Sequence, residues 1–65
     1  MEVGKNIARY RGLRNLKQAR LAKTVGISRG YLVSIEKGRR RPGIKMLARI
    51  AEYLDVDLEE LLREE

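Results

Sequence analysis

Apolar residues recur along this chain at intervals of three and four, which is the spacing of one face of an α-helix. The most regular stripe runs through residues 44–54 and consists of Ile44, Leu47, Ile50, Ala51 and Leu54. We expect this segment to lie across the hydrophobic core. No stretch alternates between apolar and polar residues with a period of two, so the pattern predicts helices and no strand.

Turn-forming and capping residues divide the chain into five predicted helices, which cover residues 3–14, 18–24, 28–37, 44–54 and 57–62. Asn15, Gly26 and Gly38 are residues that tolerate the left-handed conformation with which helices commonly end. Asp57 and Glu60 have the spacing of a capping box at the start of the last helix. The predicted fold is all-α, a compact five-helix bundle.

The second and third predicted helices are separated by only three or four residues. Ala22 permits close packing, Gly26 supplies a positive φ in the turn, and Ile27 places an apolar side chain after it. Ser28 then serves as the N-cap of the next helix. This arrangement, at about residues 18–37, predicts a helix-turn-helix.

Length and composition exclude several classes of function. The 65 residues form one predicted domain, residues 1–65, with neither cysteine nor histidine. The commonest general base and the commonest metal ligands are therefore missing, which predicts no catalytic site, metal, cofactor or small-molecule substrate. No apolar run reaches the roughly 20 residues of a membrane span, and the N-terminus lacks the apolar region of a secretory signal. We therefore expect an intracellular, cytoplasmic protein that is not an enzyme and does not bind membranes.

The charges are separated along the chain. The formal net charge is +6, but residues 1–51 hold 14 basic and two acidic residues, whereas residues 52–65 hold seven acidic and one basic. Such a strongly positive region favours a polyanionic partner.

The whole pattern resembles the phage repressor/Cro-type (XRE-type) helix-turn-helix family from about Val3 to Leu62. The residues that carry the resemblance are Ile7, Arg11, Leu16, Gln18, Leu21, Ala22, Val25, Gly26, Ile27, Ser28, Leu32, Ile35, Glu36, Gly38, Pro42, Leu47, Ile50, Ala51 and Leu54. The resemblance implies a lambda-repressor-like fold and sequence-specific binding of double-stranded DNA in the nucleoid, often as a transcriptional repressor.

The third helix is the predicted recognition helix, at about residues 28–37. When it is wound at 100° per residue with Leu32 and Ile35 on the core, its outward and N-terminal positions are Arg29, Gly30, Val33, Ser34 and Lys37. A helix in the major groove contacts base edges with these positions. Arg29 can bridge O6 and N7 of guanine, Ser34 can hydrogen-bond several bases, and Val33 can pack on a thymine methyl group. Gly30 lets the helix approach the groove closely, and Lys37 can reach a base or a phosphate.

A second set of residues is predicted to contact the DNA backbone, and it comprises Lys17, Gln18, Ser28, Tyr31, Arg39, Arg40 and Arg41. The resemblance places Gln18 and the start of its helix at a phosphate, and it places the three-arginine loop along the backbone. Lys17 stands where the family usually has a Ser or Thr cap, and we interpret it as a phosphate contact.

Arg11 and Glu36 receive a structural role, because the family pairs these positions in a partly buried salt bridge. Glu36 is the only acid between Glu2 and Glu52. Lys17 and the basic Arg20, which replaces a common acid, also suggest an engineered or highly diverged family member.

Three other interpretations stay open at this point. The chain could be a protein-interaction module of antitoxin type that uses Leu13, Met46 and Tyr53 as an apolar patch. It could bind RNA or polyanions nonspecifically, although three tyrosines offer few rings for stacking on bases. It could also be an engineered DNA binder rather than a natural repressor. A monomer or a weak homodimer is expected.

Overall fold

The computed structural model describes residues 3–64, and all the helices in this range are α-helices. They are α1 (Val3–Leu13), α2 (Gln18–Val25), α3 (Arg29–Glu36), α4 (Ile44–Leu54) and α5 (Leu58–Leu62). No strand occurs in this range, and the prediction of an all-α, five-helix fold is confirmed. Residues 1, 2 and 65 of the predicted domain lie outside the described residues. None of these helices is both long and apolar enough to cross a membrane.

One apolar cluster connects the helices. The side chains that are completely shielded from solvent include at least one from every helix, and they are Ile7, Leu21, Leu32, Ile50, Leu54 and Leu61. Each such burial stabilises the fold by about 1.5–3 kcal/mol before the entropic costs are counted. The expectation that Ile44 lies in this core is wrong, because its side chain is 60% exposed. Ile44 is the first residue of α4, where it lies beyond the reach of the cluster.

Left-handed residues end the helices close to the predicted positions. Gly26 has φ 84° and Asn15 has φ 57°. The backbone N–H groups of Gly26 and Ile27 both donate to the carbonyl of Ala22 at 2.9 Å, which closes α2 and begins the turn. Asp55, with φ 59°, ends α4 in the same conformation. The turn that sets α2 against α3 is therefore fixed by backbone hydrogen bonds.

Gly4 allows the start of α1 to lie directly on the end of α3. A Cβ atom at position 4 would collide with the backbone carbonyl oxygens of Ile35 and Glu36. These oxygens are backbone atoms, so they cannot rotate away as a flexible side chain could. The packing of α1 on α3 therefore requires glycine at this position.

The last helix is held to α1 by polar contacts. The Asn6 amide, which is 7% exposed, donates to the carbonyls of Leu61 at 2.9 Å and Arg63 at 2.8 Å. The Tyr10 hydroxyl donates to Glu60 Oε1 at 2.9 Å, and this hydrogen bond raises the pKa of Tyr10 above its ordinary value.

The predicted capping box at α5 is wrong. Asp57 occupies the N-cap position, but its side chain makes no capping hydrogen bond. The Glu60 carboxylate bonds instead to Tyr10 and, at 3.2 Å, to Arg63. A tertiary contact with α1 has therefore replaced the local motif that the spacing indicated.

Candidate nucleic-acid interface

Helix α3 presents one face to the core and the other to solvent. Leu32 and Ile35 are buried, whereas Arg29 and Gly30 are exposed. The helix begins at Ser28, whose Oγ accepts a hydrogen bond from the Tyr31 N–H at 3.0 Å. The first turn of α3 is thus capped from within the chain, and the exposed Arg29 side chain projects from this capped turn.

The remaining predicted base-contacting residues lie further along α3. Val33 and Ser34 are half-buried, and Lys37 is the exposed C-cap residue. Space is open at Gly30, where an added Cβ would meet no atom within 4 Å. Val33 and Ser34 are thus less exposed than Arg29, Gly30 and Lys37, and the contact of all five residues with bases stays a prediction.

A hydrogen-bonded network of Arg11, Glu36 and Gln18 joins α1, α3 and α2. Arg11 Nε lies 2.8 Å from Glu36 Oε2, and Arg11 Nη2 lies 3.1 Å from Glu36 Oε1. The side chains are 19% and 6% exposed, respectively, so water screens the pair only weakly. Arg11 Nη1 also donates to the carbonyl of Leu16 at 2.7 Å. This two-pronged geometry is the strong form of an arginine–carboxylate contact.

Gln18 belongs to the same network, which sequence reasoning missed. Its Nε2 donates to Glu36 Oε1 at 2.9 Å, so the side chain links the start of α2 to the end of α3. The family resemblance suggested a phosphate contact for Gln18, and no local signal indicated a partner 18 residues away. The Gln18 side chain therefore connects α2 to α3, while its backbone N–H stays available for the predicted phosphate contact.

The start of α2 lacks an internal cap. Lys17 has the extended backbone of an N-cap residue, φ −78° and ψ 151°, and makes no side-chain capping hydrogen bond. A shallow depression at this point is lined by Arg11, Lys17, Gln18, Ala19 and Arg29. Free N–H groups and the helix dipole favour an anion at such an end. The depression therefore combines exposed basic side chains with an unsatisfied helix start.

The loop after α3 is basic and tied to the helix. The N–H groups of Arg39 and Arg40 donate to the carbonyl of Ser34 at 2.9 and 3.3 Å. The side chains of Arg39, Arg40 and Arg41 are exposed, while Pro42 is buried. The Arg40 guanidinium carbon lies 5.0 Å from the centre of the Tyr31 ring, within the range of a cation–π contact.

The acidic part of the chain lies on different elements. Helix α5 packs against α1 and α4, whereas α2 packs against α3 and α4. A depression among α1, α4 and α5 is lined by Tyr10, Glu52, Asp55, Val56, Asp57 and Glu60. Apart from Glu36 at the end of α3, the acidic residues that the structure describes lie on or next to α4 and α5, whereas the basic loop follows α3.

The three apolar residues considered for a protein contact differ in exposure. Leu13 is 63% exposed and Tyr53 is 37% exposed, whereas Met46 packs against the core. Hydrogen bonds with Thr24 and Arg20 lower the pKa of the Tyr53 hydroxyl below its ordinary value. Of the predicted apolar patch, Leu13 alone is both largely exposed and purely aliphatic.

A family model described as helix-turn-helix matches residues 7–61 of the chain. An uncharacterised helix-turn-helix-type transcriptional regulator of Methanocaldococcus jannaschii is 42% identical over 52 residues, which cover 80% of this chain and 79% of that protein. The immunity repressor protein of Bacillus phage phi105 is 35% identical over 65 residues, which are all of this chain and 45% of the repressor.

A solved structure has the same fold. The structure of SinR, a master regulator for biofilm formation, in complex with DNA superposes with a TM-score of 0.87 at 32% identity. The match covers 94% of this chain and 98% of that one.

Proposed function

Because the chain belongs to the helix-turn-helix family as a DNA-binding domain of the phage repressor/Cro type, we propose that it reads a short duplex site with α3 in the major groove and represses transcription from inside the cell. The observation that carries the proposal is that two basic, anion-attracting features adjoin the exposed face of α3, one beside Arg29 and one directly after the helix. These are the uncapped start of α2 and the arginine loop. The matching fold of SinR, which was solved in complex with DNA, supports a DNA-binding role.

Base contacts are assigned to the outward face of α3. Arg29 is the principal reading residue, since a guanidinium can bond both acceptors of guanine. Gly30, Val33, Ser34 and Lys37 complete this surface. The half-burial of Val33 and Ser34 leaves part of each side chain available for packing against a base edge.

Backbone contacts are assigned to both sides of that surface. Lys17 and the backbone N–H of Gln18 meet one phosphate at the start of α2. Ser28 lies at the start of α3, and Arg39, Arg40 and Arg41 follow the DNA backbone beyond the helix. Tyr31, in the first turn of α3, lies against Arg40. The network of Arg11, Glu36 and Gln18 sets the distance between the two groups of contacts.

The proposal is tested by selecting random duplexes with the purified protein and measuring the affinity of the selected site against salt. We expect one preferred sequence and a slope of log K against log salt near −5, for about five or six phosphate contacts. A scrambled duplex is the control. Equal affinity for the selected and scrambled duplexes, or a flat salt response, would contradict the proposal.

Arg29 and Arg40 give matched variants for the division of roles. Arg29→Ala should cost about 1–3 kcal/mol on the selected site and relax the preference at one base pair. Arg40→Ala should weaken the selected and scrambled duplexes to a similar degree and reduce the salt slope by about one. Competition binding against a panel of single-base variants measures both. An unchanged ranking of the panel for Arg29→Ala would remove Arg29 from the reading surface.

A second candidate is a protein contact, and the 63% exposure of Leu13 favours it. We propose that such a contact produces at most a weak homodimer. Light scattering at micromolar concentrations, with Leu13→Ser as the control, tests this function without DNA. A constant monomer mass up to the highest concentration would exclude the homodimer.

A further inference from the structure

We propose that Tyr31 acts as a positioning residue that holds Arg40 ready for a phosphate, rather than as a DNA contact in its own right. The inference rests on the proposed function and deepens it. It starts from the stacking of the Arg40 guanidinium over the Tyr31 ring, at 5.0 Å.

The backbone places Arg40 where this stacking can occur. Its N–H donates to the carbonyl of Ser34, so the residue follows directly on the end of α3. From there the side chain runs back along the helix to the ring of Tyr31, which lies in the first turn of α3. Tyr31 itself is fixed, since its ring packs against the core and its N–H bonds to Ser28. Both partners are therefore anchored.

The partner of Arg40 is uncharged, and this distinguishes it from Arg11. Glu36 neutralises Arg11 and accepts hydrogen bonds from its Nε and Nη2, while Nη1 donates to the Leu16 carbonyl. A tyrosine ring attracts a guanidinium through its π-electrons and takes none of the five N–H donors. Within residues 3–64, no carboxylate lies within ion-pair distance of Arg40. The charge and the donors therefore remain available to a phosphate.

Holding the side chain before binding has a direct effect on affinity. An arginine loses much of its rotamer freedom when it bonds a phosphate, and this loss opposes binding. If the ring has already restricted the side chain, less freedom is lost in the complex. Removal of the ring should then weaken binding about two- to fivefold, the range of exposed cation–π contacts.

A double-mutant cycle on the selected duplex tests the inference. Tyr31→Leu removes the ring, Tyr31→Phe retains it without the hydroxyl, and Arg40→Ala removes the guanidinium. We expect Tyr31→Leu to weaken binding about two- to fivefold in the wild-type background and less than about 1.5-fold in the Arg40→Ala background. Tyr31→Phe should restore most of the loss.

Arg39→Ala supplies the matched control, because Arg39 is the adjacent loop arginine and its N–H bonds to the same Ser34 carbonyl. In that background Tyr31→Leu should still weaken binding about two- to fivefold. A purely structural role of Tyr31 would give the same loss in all three backgrounds and would overturn the inference. An equal loss for Tyr31→Phe and Tyr31→Leu would overturn it too, since the hydroxyl would then contact the DNA directly.

NMR of the free protein gives a readout that does not depend on DNA or on the folding of Tyr31→Leu. The ring current of Tyr31 should shift the side-chain protons of Arg40 upfield of those of Arg39, and Tyr31→Phe should preserve the shift. Equal shifts for the two arginines would contradict the stacking. If wild-type protein bound no duplex, the proposed function and this inference would both fail, whereas binding without coupling would overturn the inference alone.

Discussion

Helices α2 and α3 have the same length of eight residues, but they begin in different ways. Helix α3 is capped by Ser28, whose hydroxyl accepts the Tyr31 N–H at 3.0 Å. Helix α2 begins at Lys17, which has the backbone conformation of a cap and no capping hydrogen bond. A lysine at this end also opposes the helix dipole.

The difference indicates how the two helices divide their tasks. The first turn of α3 is capped from within by Ser28, and Arg29 in that turn is exposed. The first turn of α2 retains unsatisfied N–H groups, which an external anion can accept from. We expect the first turn of α2 to be less stable than that of α3 in the free protein, and the proposed phosphate would stabilise it.

The largest effect is expected from breaking the connection between the two helices. Glu36→Gln removes the carboxylate that accepts hydrogen bonds from both Arg11 and Gln18. Because Arg11 would keep a largely shielded charge without a counter-ion, the free energy of unfolding should fall by about 2–3 kcal/mol. Urea unfolding followed by circular dichroism measures it.

The exposed ion pair of Arg63 and Glu60 provides the control for this variant. Arg63 Nη2 lies 3.2 Å from Glu60 Oε2, and the Arg63 side chain is 64% exposed. Arg63→Ala should therefore change the stability by less than about 1 kcal/mol. Similar losses for Glu36→Gln and Arg63→Ala would show that the network beneath α3 contributes no more than a surface pair.

An intermediate effect is expected from removing the cap that distinguishes α3. Ser28→Ala should lower the free energy of unfolding by about 1 kcal/mol, because the Tyr31 N–H loses its partner. Asp57→Ala is the matched control, since Asp57 is an N-cap residue without a capping hydrogen bond. Chemical unfolding of both variants should separate them by about 0.5–1 kcal/mol. Equal stabilities would mean that the Ser28 cap does not distinguish α3.

The smallest effect is expected from making α2 resemble α3. Lys17→Ser should raise the free energy of unfolding by about 0.5–1 kcal/mol, through a new cap and the loss of a misplaced cation. The same variant should bind the selected duplex more weakly, by about two- to fivefold at low salt, because one phosphate contact loses its charge. Unfolding and fluorescence anisotropy measure the two changes.

Lys23→Ser tests whether the position of the lysine matters. Lys23 lies in the last turn of the same helix, where a cation favours the dipole. This control should lower the stability slightly and affect duplex binding less than Lys17→Ser does. A stabilising effect from both variants, or an unchanged affinity for Lys17→Ser, would contradict the division of tasks.

The arrangement of the helices could largely be predicted from the sequence because their ends are local features. The bounds of α4 are Ile44–Leu54, as the apolar stripe predicted. Gly26 carries its own conformational preference, and it ended α2 within one residue of the predicted position. Ser28 similarly marked the start of α3 and forms the expected cap.

Tertiary hydrogen bonds could not be predicted in the same way. Three polar side chains bond to residues on other helices, namely Gln18, Glu60 and Asn6. The position of each residue in the sequence does not indicate which distant residue is its partner. Asn6 did give one signal, because a polar residue next to Ile7 on the inner side of α1 requires a buried partner. The prediction that Ile44 lies in the core was wrong for a different reason, because the end of an apolar stripe can extend past the core.

Gly4 and Gly30 place opposite constraints on how this domain can diversify. At Gly4 the backbone of α3 occupies the space that a Cβ atom would need, whereas at Gly30 that space is open. Libraries that randomise position 30 can therefore add new chemistry to the exposed face of α3 without disturbing the interior, while position 4 is closed to every larger residue. Sequence preference in this scaffold can evolve independently of its architecture.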